Sequence, residues 1–247
     1  CGIAMASGSE AAKQAAHIVL MDSDFSSMKD IVKEGKTIIA NIERVSSLYL
    51  TKTIYSCLLS VIFILLKTPY PFTTLQMGLI NLCGIGMPSF LLTLEQQEDV
   101  TTSGFLKHVL QTALPAALTM VTSMLIVQVL NAMFPWTTDI FSTFSLMLGG
   151  LVSMLVVASV CWPLAPYRKF VLAVSAVVFL GAVILLPNYY DMHSIFMWWS
   201  LLLLPLSVLV AIMISVYSML TGKAIIKFGR MKQEMDARRK RYDPDIY

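Results

Sequence analysis

The sequence runs to 247 residues, of which 57% are hydrophobic and only 13% charged, with a formal net charge of +3 and a mean hydropathy of +0.73. Soluble domains carry about 25% charged residues, so this composition excludes a soluble protein and describes an integral membrane protein, with the lipid bilayer as a partner and no nucleic acid partner. The four cysteines, Cys1, Cys57, Cys83 and Cys161, form no CxxC or Cys-Pro-Cys pair. They are expected as small buried apolar residues rather than as a thiolate metal site.

The chain opens on Cys rather than Met, so its natural product is expected to begin further upstream. Gly2 to Met5 reads as a short buried strand, Ser9 to Ala16 as a helix capped by Ser9 or Ser7, and His17 to Met21 as a second strand ending at Asp22-Ser-Asp24. Two strands around a helix indicate a parallel α/β unit. A piece of about twenty-five residues cannot bury a core alone, so residues 1–28 are expected to be the end of a larger domain. From Phe25 to Val45 the apolar positions Met28, Ile31, Val32, Ile38, Ile39, Ile42 and Val45 follow a helical period without Pro. Gly35 costs about 1 kcal/mol in a helix interior but does not end it, so residues 29–46 are expected as a stalk helix that flows into the first span.

Six stretches are long and apolar enough to cross a hydrocarbon core of about 30 Å: Ser47 to Leu66, Phe72 to Glu95, Val109 to Met133, Ile140 to Trp162, Phe170 to Pro187 and Phe196 to Leu220. Each is expected as a helix, because backbone amides in lipid must be satisfied within the segment and no ten-residue alternation marks a barrel. The fold class is therefore mainly α, a polytopic domain over residues 47–221 preceded by an α/β end piece. Lys and Arg set the orientation. With the first segment cytoplasmic, the inner loops and the basic tail of residues 222–247 hold Lys107, Arg168, Lys169, Lys223, Lys227, Arg230, Lys232, Arg238, Arg239, Lys240 and Arg241, against Lys67 alone outside. Both termini are expected to be cytoplasmic, the tail anchoring against anionic headgroups. Trp136, Trp162, Trp198 and Trp199 are expected as interface anchors. His17, His108 and His193 have no partner at ligand spacing and read as surface or interfacial residues. Glu95 with Gln96, Gln97, Glu98 and Asp99 reads as a solvated acidic patch, with ion access or domain contact as the alternative.

The second span carries Asn81-Leu-Cys-Gly84-Ile-Gly86-Met-Pro88-Ser89-Phe90. Two glycines and a proline within five residues weaken a helix, and Pro88 frees the carbonyl four residues earlier, that of Gly84. Freed carbonyls can ligate cations, and broken helices in membranes often mark transport sites; a simple packing kink is the plainer alternative. Lys52 lies inside the first span, where an ammonium costs about 2.5–3.5 kcal/mol on insertion scales. It either snorkels to the interface or acts as a built-in counter-cation. Between Val45 and Gly222 the acidic residues are Glu95, Glu98, Asp99, Asp139 and Asp191, all at span ends or in loops.

Gly2-Ile-Ala-Met5, Gly8-Ser-Glu-Ala-Ala-Lys13, His17-Ile-Val-Leu20, Asp22-Ser-Asp-Phe25 and Glu34-Gly-Lys36 resemble the end of the phosphorylation domain and the stalk of P-type cation-transporting ATPases, and the six spans resemble the family's fifth to tenth membrane helices. The resemblance implies an ATP-driven pump that cycles through an aspartyl-phosphate in a haloacid-dehalogenase-like domain, with ATP and magnesium as cofactors of the parent protein and a transported cation as cargo. The segments bearing the phosphorylated Asp, the dephosphorylation motif, the nucleotide-binding domain and the magnesium loop would all precede Cys1 and form a missing N-terminal partner. Asp22 and Asp24 sit in the wrong motif to replace them and read as loop and cap residues. Matching the family without gaps puts Asn81, Thr53 and Ser56 on positions that ligate cations in the calcium pumps. Gly84 and Ile85 depart from the Thr-Asp pair of the calcium and sodium pumps, and Ser56 from a Glu of the calcium pumps. The pattern from Asn81 to Phe90 resembles a bacterial, calcium-pump-like branch, which implies a plasma-membrane location. The expected ion pathway thus comprises Lys52, Thr53, Ser56, Asn81, Gly84 and Pro88. Competing expectations are a stand-alone six-span channel or regulatory protein, and a truncated gene product.

Overall fold

The computed structural model describes residues 2–22, 24, 26, 28–95, 104–134, 136–190 and 205–222. The contacts divide the chain into two compact units, the first containing the described residues up to 40 and the second starting at Asn41.

In the first unit β1 (Ile3–Met5) pairs in parallel with β2 (Ile18–Leu20), Ile3 opposite Ile18 and Met5 opposite Leu20. Between them runs α1 (Glu10–Ala15), as the spacing predicts. Its cap is Ser9, whose hydroxyl accepts from the Ala12 amide at 3.3 Å, satisfying one of the orphan donors of the first turn. The sheet keeps Ala4 and Leu20 buried but leaves Ile3, Met5 and Ile18 each 39% exposed. His17 ties the strand ends together, its Nδ1 accepting from the Gly2 amide at 3.2 Å. Asp24 accepts from the Ser26 amide and hydroxyl, and the Ser26 hydroxyl holds its carboxyl below the usual carboxylate range.

Helix α2 (Met28–Leu66) is one element of 39 residues, about 58 Å long at 1.5 Å per residue. Gly35 sits inside it without interrupting it, as expected. The remaining helices are α3 (Thr74–Asn81), a π-helical turn (Leu82–Gly86), α4 (Met87–Thr93), α5 (Phe105–Met133), α6 (Thr138–Val160), α7 (Pro166–Leu185) and α8 (Pro205–Gly222). Taking α3, the π turn and α4 as one span, six helices are long and apolar enough to cross a membrane. Each overlaps one expected span, although the sixth starts within the described residues only at Pro205 rather than at Phe196. Trp198, Trp199, His193 and residues 223–247 of the basic tail lie outside the described residues.

In the second unit α2 contributes a seam of Leu48, Tyr55, Leu59 and Phe63, each at most 4% exposed, spaced one to two turns apart on one face. Helix α5 packs along α6, and the π turn is held between α6 and α7. Helix α6 approaches its neighbours closely because it lacks side chains at two consecutive positions. A Cβ on Gly149 would stand 2.9 Å from the Phe72 ring, and one on Gly150 only 2.0 Å from the Phe179 ring. Of the cysteines, Cys83 and Cys161 are buried as expected, whereas Cys57 is exposed on α2; all three are free thiols. Trp162 is 71% exposed at the end of α6, while the Trp136 ring stacks 5.2 Å from Phe144.

Gly150→Ala is expected to destabilise the protein by about 1–3 kcal/mol through overpacking, read as a lowered melting temperature in detergent. Adding Phe179→Ala should make the Gly150→Ala step nearly neutral, and an equal loss in both backgrounds would show that the ring contact is not its cause.

Candidate functional site

The site centres on the π turn. The Thr73 hydroxyl and the Gln76 side chain form a capping box that starts α3, and the Gln76 amide reaches across to the Tyr190 carbonyl at 3.1 Å. One turn later the hydrogen-bond ladder widens. The Met87 amide bonds to the Leu82 carbonyl, five residues back instead of four, and Pro88 has no N–H to give. The helix therefore offers no donor at i+4 or i+5 to the carbonyl of Cys83, a residue with 0% exposure. For Gly84 the i+4 donor is missing as well. The sequence pointed to a break at Gly84 alone; the wider turn takes the i+4 donor from the Cys83 carbonyl as well, while the helix continues through it. Such π insertions recur at functional positions.

Two side chains beside the turn have unused hydrogen-bonding capacity. The Asn81 Oδ1 and the Ser89 hydroxyl are buried without a partner. An unpaired buried acceptor is uncommon in a native protein, and Asn81 precedes the turn without capping it. Pro88 is buried in the first turn of α4, where its fixed φ suits the helix.

On α2 the candidate hydroxyls bond backwards along their own helix. Thr53 donates to the Tyr49 carbonyl at 3.0 Å and Ser56 to the Lys52 carbonyl at 2.7 Å. Each hydroxyl thus spends its proton on the backbone and keeps lone pairs for another partner. Thr53 is exposed and Ser56 half-buried. Among the described residues no hydrogen bond joins Thr53, Ser56 or Asn81 to one another. Lys52 and Gly84 are brought together, since both line a cavity of about 20 Å³ between α2, the π turn, α5 and α6, together with Tyr55 and Ser153. Gly84 permits the approach of α6: a Cβ there would stand 2.9 Å from the Ser153 Cβ. Ser153 and Tyr55 were not singled out by the sequence, because neither breaks a span's apolar character.

The acidic patch expected at Glu95 is corrected by the structure. Glu95 is 5% exposed, and its carboxylate accepts from Arg168 Nε at 2.8 and 3.0 Å and from Arg44 Nη1 at 3.0 Å. The side chain of Asn41 donates to the Glu95 carbonyl at 2.9 Å and accepts from Arg44 at 3.1 Å. Arg168, expected as a loop charge, is 1% exposed and also donates to the Pro163 carbonyl at 3.1 Å. A carboxylate withdrawn from water survives only where opposite charge and hydrogen bonds replace its hydration. This cluster clasps the ends of α4 and α7 to α2. The run of polar residues after Glu95 concealed it in the sequence; Gln96, Gln97, Glu98 and Asp99 lie outside the described residues. Nearby, the His108 ring stands 3.9 Å from the Glu43 carboxylate.

Among the described residues no three His, Cys, Asp or Glu side chains gather as a metal site, and the Asp24 carboxylate is engaged by Ser26.

No family model matches the sequence. A probable cation-transporting ATPase of Streptococcus pneumoniae is 35% identical over 189 residues, 73% of this chain and 24% of the relative. The calcium-transporting ATPase CtpE of Mycolicibacterium smegmatis is 39% identical over 127 residues, covering 47% of this chain and 16% of the relative. A calcium-transporting ATPase of Bacillus subtilis is 32% identical over 98 residues, 39% of this chain and 11% of the relative. The chain thus spans a quarter or less of the length of these relatives.

Glu95 faces two guanidinium groups, Arg44 and Arg168, so losing the carboxylate leaves both without it. Glu95→Met is therefore expected to destabilise by about 3–5 kcal/mol, and Arg168→Met, which keeps the Glu95–Arg44 pair, by clearly less. Thermal unfolding in detergent measures both; a larger loss in Arg168→Met than in Glu95→Met would mean that the carboxylate is not the centre of the cluster.

Proposed function

We propose that this chain, which belongs to the P-type cation-transporting ATPases, forms the membrane-transport portion of an ATP-driven pump whose cargo path runs past the π turn. The observation that carries the reading is the buried, unpartnered Asn81 Oδ1 beside carbonyls deprived of helical donors by the Met87–Leu82 bond and Pro88. A dehydrated cation needs a shell of oxygen atoms, calcium about six to eight of them. Asn81, the Cys83 and Gly84 carbonyls, Thr53 and Ser56 could supply part of such a shell. In this reading Pro88 withholds a donor from both carbonyls, and Lys52 sits at the margin of the path.

A calcium-like cargo is favoured by the names of the relatives, several of which are calcium-transporting ATPases. In this reading an aspartyl-phosphate forms and breaks in residues outside this chain, where ATP and magnesium also bind, and α2 joins the end of that phosphorylation domain to the first span. In this reading the protein lies in a bacterial plasma membrane, and the Lys and Arg bias of its loops supports cytoplasmic termini.

In the protein expressed from its complete reading frame, Asn81→Ala is expected to raise the cation concentration for half-maximal phosphorylation roughly tenfold, the equivalent of about 1.4 kcal/mol. Pro88→Ala, which restores a donor, should do the same, with melting temperatures little changed. Unaltered cation dependence in both variants would remove the π turn from the path.

A further inference from the structure

At the end of α3 farthest from Glu95, one side chain joins two elements. Gln76 is 0% exposed; its Oε1 accepts from the Thr73 amide at 3.2 Å, and its Nε2 donates to the Tyr190 carbonyl at 3.1 Å. A capping box needs only the acceptor, so the bond to Tyr190 is additional to what starting α3 requires. The chain leaves α7 at Leu186 and Pro187 and turns, with the Tyr190 N–H donating to the Leu186 carbonyl at 3.3 Å. Both backbone polar groups of Tyr190 are therefore held, which restricts where its ring can lie. The ring is half-buried, packs against the core of the second unit, and meets Tyr189 edge-on with centroids 5.1 Å apart. Burial pushes its phenol above the usual tyrosine range, and Tyr189 and then the Cys83 thiol add to the shift. Cys83 belongs to the π turn, which packs against α7. Seven residues, about 10 Å along a helix, separate Gln76 from Cys83, so Tyr190 is anchored at one end of this stretch and feels the other.

We propose that Tyr190 covers the π turn at its Thr73 end, and that Gln76 is the residue that positions it. The role of the cover rests on the cation path proposed above. On that path it separates the Asn81 seat from water on the side of the membrane opposite the termini, and its opening is the step that admits or releases the cation there. Gln76 acts through Tyr190 and does not itself touch the cation.

Cys83 is a native reporter, a free thiol on the π turn with 0% exposure, and Cys161, equally buried after α6, is its control. The protein from its complete reading frame is treated in detergent with a charged, water-soluble thiol reagent, and modification of each cysteine is followed by mass spectrometry. Tyr190→Ala is expected to speed modification of Cys83 at least tenfold while Cys161 keeps its rate; Tyr190→Phe, which keeps the ring, should match the unaltered protein. Gln76→Met has no donor for the Tyr190 carbonyl and should open Cys83 in the same way. Thr73→Ala breaks the capping box from its other side but keeps the Gln76–Tyr190 bond, so it should lower the melting temperature without speeding Cys83. Unchanged Cys83 rates in Tyr190→Ala and Gln76→Met, or an equal rise at Cys161, overturn the cover. If Tyr190→Ala does not fold, Gln76→Met against Thr73→Ala is read by the same criteria. Calcium separates this inference from the pump reading. Slowing of Cys83 modification by calcium in Tyr190→Ala supports a cation seat under the cover. A raised Cys83 rate without calcium protection, together with unaltered cation dependence in Asn81→Ala, keeps the cover and refutes the path.

Discussion

Hydrocarbon supplies no hydrogen bonds, so a chain crossing it must satisfy its backbone within each segment or bury the exceptions in protein. The mainly helical architecture follows from that constraint. The exception lies where α6 and α7 enclose the π turn: an amide that reaches back five residues and a proline with no amide leave the Cys83 carbonyl without a helical donor, at a residue with 0% exposure. The candidate chemistry of the protein is concentrated at this relaxation of the rule.

Close packing makes the exception usable. Gly84 lets the π turn approach Ser153 of α6, and Gly149 and Gly150 let α6 pass Phe72 and Phe179. The result is a small cavity bordered by α2, the π turn, α5 and α6. Because interiors are packed at crystal-like density, even a cavity of about 20 Å³ marks a place where the side chains do not fill the available space.

A second polar centre lies at the Glu95 end of the same unit. Arg44 and Lys52 are eight residues apart on α2, about 12 Å along a continuous helix, so one helix contributes both to the ionic cluster and to the cavity. Glu95 closes the segment that contains the π turn, and Arg168 begins α7, which packs against that turn. The cluster thus fixes the end of the segment whose middle is irregular. Net stabilisation by buried ion pairs is often small relative to an apolar replacement, and the clearer consequence here is that the ends of α2, α4 and α7 are held in one register.

The sequence by itself determined the spans, because hydropathy over about twenty residues reflects a solvent constraint that acts locally. It also determined the short parallel unit, from Ser9 as a cap and from the two apolar runs beside it, and it located the irregular point in the second span, from Gly84, Gly86 and Pro88. Only the tertiary structure decided that the irregularity is a π turn, since α and π ladders differ by one residue in bonding partner and neighbouring helices select between them. It likewise decided that Glu95 and Arg168 are buried partners, separated by 73 residues along the chain, and that Lys52, Tyr55 and Ser153 share a cavity. Charge and hydroxyl groups look alike in a sequence whether they face water or one another, and their meaning here depends on which helices pack side by side.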